Sequence, residues 1–153
     1  MVKAFFAGSF NPFTIGHASI VERALTMFDS VVIGIGFNAA KAIDAEAVRE
    51  RVSMIARLYR DDRRVRVTAF DTLAVKAARH EGCTVLLRGV RSVADFEYER
   101  NMADINRQLP EGMETVLLYA LPEYAAVSSS VVRELASYGV DTTPYLPKNT
   151  NVK

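Results

Sequence analysis

Short apolar runs recur along the chain at residues 2–6, 31–37, 65–69, 84–87 and 115–119, each brief and largely β-branched or aromatic. Runs of that kind predict strands covered on both faces, as in a parallel sheet. Between them the apolar residues fall at helical spacing. Ile20, Val21, Ala24, Leu25 and Phe28 share one helix face, and Val48, Val52, Ile55 and Tyr59 share another. A third helix is expected over residues 73–80. Tyr98, Met102, Ile105 and Leu109 mark a fourth, and a fifth carries Val131, Val132, Leu135 and Ala136. Asp44 and Ser128 or Ser129 suit helix N-caps, because a short side-chain oxygen can accept a free backbone N–H there.

Five strands alternating with five helices predict an α/β fold. The expectation is a single doubly wound, Rossmann-like domain over residues 1–153, with a five-stranded parallel sheet and helices on both faces. In such sheets ligands bind beyond the carboxyl ends of the strands, near the point where strand order reverses. The loops that follow the strands are therefore where chemistry is to be sought. A length of 153 residues suits one self-sufficient domain.

Charge narrows the function by exclusion. With 19 Lys+Arg against 18 Asp+Glu, no global field attracts nucleic acid or an acidic membrane. An anion must then be held by local placement. Half the residues are hydrophobic, yet no run approaches the ~20 apolar residues of a membrane span. The lone Cys83 and the short apolar start lead to the expectation of a cytoplasmic protein without membrane or nucleic-acid partners. No clustered metal ligands are visible, so no protein-held metal is expected.

The first run leads into Gly8-Ser9-Phe10-Asn11-Pro12-Phe13-Thr14-Ile15-Gly16-His17. Gly8 ends the strand where a side chain would obstruct a ligand, and Asn11 and Pro12 turn the chain. Gly16 and His17 then open a helix whose free N–H groups favour a phosphate. Ser9 and His17 can each donate a hydrogen bond to it. The plainer reading is an ordinary strand–turn–helix connection capped by Thr14. The order of residues decides between the two. Thr14-Ile15-Gly16-His17, preceded by Gly8-Ser9-Phe10-x-Pro12, resembles the signature of the nucleotidyltransferase superfamily with a (His/Thr)-x-Gly-His motif. Asn11 departs from the acidic residue usual there.

The fourth run ends in Leu87-Arg88-Gly89-Val90-Arg91, followed by Ser92-Val93-Ala94-Asp95-Phe96-Glu97-Tyr98-Glu99. Arg88 and Arg91 are expected just past the strand's carboxyl end, on the same edge as His17. Guanidinium forks there grip phosphate bidentately, and Gly89 lets the backbone approach. As isolated arginines they would more simply pair with Asp95, Glu97 or Glu99. As a block, the segment resembles that of bacterial phosphopantetheine adenylyltransferases, with residues 95–99 matching throughout. After the fifth run, Ser128-Ser129-Ser130 at a helix start can offer several donors to one anion. Followed by Val131-Val132-Arg133-Glu134, this resembles the superfamily's second phosphate-binding signature; a simple capping run is the alternative. Lys41, after the second run, matches a family lysine, although Ala39 replaces a common proline and residues 42–49 depart from the pattern.

The resemblance spans residues 8–134. It implies transfer of the adenylyl group of ATP to 4′-phosphopantetheine, giving dephospho-coenzyme A and pyrophosphate in coenzyme A biosynthesis. It implies catalytic roles for His17, Lys41, Ser9 and Arg91, and an acceptor site with Ser9, Lys41, Ala74 and Arg88. It implies ATP contacts from Ser9, Phe10, His17, Gly89, Val90, Arg91 and Glu99, and from Tyr124, Ala125, Ala126, Val127, Ser128, Ser129 and Ser130. Mg²⁺ travelling with ATP, inhibition by coenzyme A and a homohexamer follow from the same resemblance.

The absence of a Ser–His–Asp set and of an evident general-base carboxylate suits such a reaction. A phosphomonoester is already anionic at neutral pH, so catalysis reduces to alignment and charge stabilisation. A nicotinamide or nicotinate mononucleotide adenylyltransferase would share residues 8–12 but not 88–99. A glycerol-phosphate cytidylyltransferase would carry a different C-terminal signature. Only Asn11 hints at a non-catalytic nucleotide-binding module. His80 and Cys83 match nothing catalytic and are expected as an exposed helix-end residue and a small apolar filler.

Overall fold

A computed structural model describes residues 1–40 and 44–148. The elements are β1 (Lys3–Gly8), α1 (Ile15–Ala24), β2 (Ser30–Gly36), α2 (Asp44–Leu58), β3 (Val65–Phe70), α3 (Ala74–His80), β4 (Val85–Val90), α4 (Val93–Gln108), β5 (Glu114–Tyr119) and α5 (Ser129–Ser137). Single 3₁₀ turns lie at Pro122–Tyr124 and Thr143–Tyr145. The strands form one parallel sheet in the order β3-β2-β1-β4-β5. From β1 the chain steps outward to β2 and β3, then returns to β4 on the other side of β1. The switch point is the seam between β1 and β4.

Alternation along the central strands decides what each face buries. Ala4 and Phe6 of β1, with Val31, Ile33 and Ile35 of β2, share a core with Ile20, Val21 and Ala24 of α1 and Val48 and Ile55 of α2. Phe5 and Ala7, with Val32 and Leu86, meet Val75, Ala77 and Ala78 of α3 in a second core. Gly34 exists for Phe5: a Cβ at that position would lie 2.2 Å from Phe5 Cζ. Cys83 packs in the second core as the expected filler, and burial pushes its thiol up to about 11. His80 ends α3, exposed. Among the described residues no helix is long and apolar enough to cross a membrane.

β4 does not end at Leu87 as the apolar run suggests. It continues through Arg88, Gly89 and Val90, because these pair with Leu117, Leu118 and Tyr119 of β5. Its ladder with β1, by contrast, runs only from Ala4↔Val85 to Phe6↔Leu87, while β1 stays paired with β2 up to Gly8↔Ile35. The two central strands therefore part at their carboxyl ends, and a gap opens in the middle of the sheet.

α4 forms where its apolar spacing predicts a helix. Tyr98, Met102 and Ile105, spaced like a core face, are 63%, 39% and 53% exposed. The residue the helix buries is Glu99. Of the four residues that share this spacing, Leu109, just past the helix, packs against the core that contains Phe5, and the other three face outward.

Candidate active site

Where β1 and β4 part lies a cleft of about 260 Å³. Ser9, Phe10, His17, Arg88, Gly89, Val90, Arg91, Glu99, Tyr124, Val127, Ser128, Ser129 and Ser130 all line it. These residues come from four separate stretches, and the fold brings them to the carboxyl edge of the sheet. Lys41 lies outside the described residues. Ala74, Ala125 and Ala126 do not line the cleft. Ala74 instead begins α3 and packs against the core that contains Phe5.

His17 is held by its own helix start. Thr14 caps α1, and His17 is the third residue in. The His17 backbone N–H donates to Thr14 Oγ1 (3.4 Å), and the Thr14 backbone N–H donates to His17 Nδ1 (2.9 Å). The second bond decides the tautomer. Nδ1 must accept, so in the neutral ring the proton sits on Nε2. The ring stacks on Phe13 (5.4 Å, 29°), meets the edge of Phe10 (5.0 Å, 86°) and lies 6.2 Å from Phe6. Burial, then the positive charges of Arg91 and Arg88, lower its pKa from the ordinary 6.5 to about 4. At neutral pH His17 is an uncharged N–H donor. The capping threonine and the site histidine, alternatives when read from the sequence, are parts of one device.

The loop before α1 is shaped around that ring. Phe10 adopts φ +47°, a left-handed conformation that bulky residues seldom take. Its ring is nevertheless 2% exposed, between Phe6 and Phe13. A Cβ on Gly8 would lie 3.0 Å from the Phe10 ring. Gly8 thus seats Phe10, a reason for the glycine beyond clearing space for a ligand. Two helices then hold the loop by its carbonyls. Arg51 of α2 donates to Ser9 O (2.9 Å), Ser129 Oγ of α5 to Pro12 O (2.8 Å), and Arg133 to Asn11 O.

Arg88 bridges the parted strands. Its Nη1 donates to the carbonyl of Ala7, while Nε and Nη2 meet the two oxygens of Glu99 at 2.9 and 2.7 Å. Arg91 pairs with Asp95 at 3.2 Å, and the same carboxylate accepts the Arg91 backbone N–H at 3.1 Å. The ion-pair reading of these arginines therefore holds for Glu99 and Asp95, yet both arginines still line the cleft.

The serines divide their work. Ser128 Oγ accepts the N–H of Val131 (3.2 Å) and caps α5, whereas the single hydroxyl hydrogen of Ser129 is spent on Pro12. They are not three equal donors to one anion. Among the described residues no group of three or more His, Cys, Asp or Glu converges as a metal site.

Phe13 and Arg51 went unmarked by the sequence. Each acts through a partner that only the fold brings near, and Arg51 reaches across 42 positions.

Known proteins resemble the chain as follows. Residues 5–135 match a family described as cytidylyltransferase-like. A phosphopantetheine adenylyltransferase of Phocaeicola vulgatus is 49% identical over 152 residues, covering 99% of both chains. One from Bacteroides fragilis is 47% identical over 148 residues, covering 97% of both. Among solved structures, a bifunctional NMN adenylyltransferase/ADP ribose pyrophosphatase from Francisella tularensis superposes with a TM-score of 0.68 at 16% identity. The match covers 97% of this chain and 45% of that one, and shows a shared fold.

Proposed function

The chain belongs to the cytidylyltransferase-like family, and from that membership we propose that it transfers the adenylyl group of ATP to 4′-phosphopantetheine, giving dephospho-coenzyme A and pyrophosphate. The observation that carries this reading is the cleft itself. A neutral imidazole N–H, two arginines and the start of α5 line one space at the switch point of the sheet.

The acceptor phosphate attacks the α-phosphorus in line. A bond forms from its oxygen to phosphorus, and the bond to the bridging oxygen breaks, with pyrophosphate leaving with the electron pair. No proton has to be removed. That suits a histidine whose Nδ1 is occupied by Thr14 and whose Nε2 keeps its hydrogen. His17 acts as a donor where negative charge builds on the α-phosphate, not as a base. Arg88 holds the acceptor's phosphate, Ser9 and Lys41 orient the reacting phosphates, and Arg91 contacts ATP. Phe10, Gly89, Val90 and the segment from Tyr124 through Ala125, Ala126 and Val127 to Ser130 receive ATP. Ala74, which does not line the cleft itself, meets the pantetheine arm where the arm runs beyond it.

Mg²⁺ arrives as part of the Mg·ATP substrate, held by phosphate oxygens and water. Asp95 and Glu99, the carboxylates lining the cleft, are both engaged with arginines. Coenzyme A, which contains the product's skeleton, competes as an inhibitor. The protein works in the cytoplasm as a homohexamer, and the exposed apolar residues of α4 support an assembled state.

Pyrophosphate release tests the reaction. ATP with Mg²⁺ and 4′-phosphopantetheine should release it, whereas ATP with nicotinate mononucleotide, or CTP with glycerol 3-phosphate, should not. Release with another pair would discard the acceptor, and ATP binding without any release would leave a non-catalytic module.

A further inference from the structure

We propose that Glu99 is a positioning residue for the acceptor's phosphate, holding the Arg88 guanidinium so that its last free N–H pair faces the cleft. The proposal rests on the reading of Arg88 as the acceptor's anchor.

A guanidinium carries five N–H donors in a fixed plane. Arg88 spends one from Nε and one from Nη2 on the two oxygens of Glu99, and one from Nη1 on Ala7 O. Two remain, one on each Nη. A planar group held at all three nitrogens cannot rotate, so the directions of those two are fixed. Both lie in the guanidinium plane, where they can meet phosphate oxygens. Accessibility agrees with this division: both residues line the cleft, but the Glu99 side chain is 9% exposed and that of Arg88 35%, so the arginine is the more open of the two.

Glu99 is delivered by α4, a sixteen-residue helix that begins just after β4. The carboxylate therefore sits on a rigid element, whereas Arg88 stands at the place where β1 and β4 have separated. Without Glu99, the guanidinium would keep only its bond to Ala7. The family resemblance implies an ATP contact from Glu99; if that contact fell on the triphosphate, it would set like charges together. Glu99 engaged by Arg88 avoids that conflict and does its work at one remove.

Glu99→Gln tests the proposal, because the amide keeps the shape but turns an N–H₂ toward one arginine N–H. The KM for 4′-phosphopantetheine should rise by roughly tenfold or more, the equivalent of one charge-assisted hydrogen bond. The KM for ATP should hold. Glu99→Asp, which keeps the charge but shortens the reach, should fall between wild type and Glu99→Gln.

A second measurement needs no substrate. The Arg88 Nε–H should exchange slowly with water in the wild type and rapidly in Glu99→Gln, followed by ¹⁵N NMR. A selective rise in the ATP KM would overturn the proposal, as would a fall in thermal stability with both KM values unmoved. Equal exchange in the two proteins would overturn it too. If the wild type ignored phosphopantetheine altogether, the functional reading would fail, while the exchange experiment would still judge the clamp.

Discussion

The imidazole of His17 sits uncharged in a shell of phenylalanines, and pH should expose the cost of that arrangement. An unfolded histidine takes up a proton near pH 6.5, whereas the folded ring resists protonation until about 4. Between those values the unfolded chain binds more protons, so stability rises with pH across that window. The contribution is complete above about 6.5 and is lost as pH falls toward 4. Urea unfolding at pH 7 and pH 4.5 should therefore show a larger loss in the wild type than in His17→Gln. In ¹⁵N spectra the ring should keep the Nε2–H tautomer at pH 6. His17→Ala should retain the far-UV circular dichroism of the wild type and lose ~10²–10³ in kcat, the usual effect of removing one preorganised donor. Turnover close to wild type would sink the assignment. His17, Ser9, Arg88 and Arg91 were legible because their chemistry lies in contiguous motifs. Arg51 and Phe13 were not, because an arginine on a helix and a phenylalanine in a loop carry no meaning until their neighbours are known.

At the scale of elements, each boundary follows from a partner. The apolar run alone ended β4 at Leu87, since arginine and glycine look like loop residues. Pairing with β5 carried the strand three residues further, and no local signal reports such pairing. Strand identity was legible from β-branched runs; the parting of β1 and β4 was not, because it depends on register across the seam. Two substitutions probe this scale. Gly34→Ala drives a methyl group into the Phe5 ring and should destabilise the protein by ~1–3 kcal/mol in chemical denaturation. Adding Phe5→Leu should recover part of that loss. Ser128→Ala removes the α5 cap and should cost ~1 kcal/mol; an unchanged midpoint would mean that Ser128 does not cap the helix in solution.

For the whole molecule, the strand–helix alternation was enough to predict a parallel sheet wrapped on both faces. The fourth helix, marked by its apolar spacing, shows most of that stripe to solvent, because spacing reports a helix face but not what covers it. If copies of the chain cover it, light scattering should find an assembly, and Tyr98→Glu with Ile105→Glu should reduce its mass. A wild-type monomer would remove the hexamer. The seam between β1 and β4 has a wider consequence. Its ladder stops at Phe6↔Leu87, and the Ala7 carbonyl beyond that point is met by the Arg88 side chain. One residue thus continues the spine of the sheet and faces the ligand space. A lineage drifting toward another acceptor could not freely exchange Arg88, because each replacement would loosen the scaffold along with the grip. Relatives that serve another acceptor and lack that arginine should carry a compensating change at the seam.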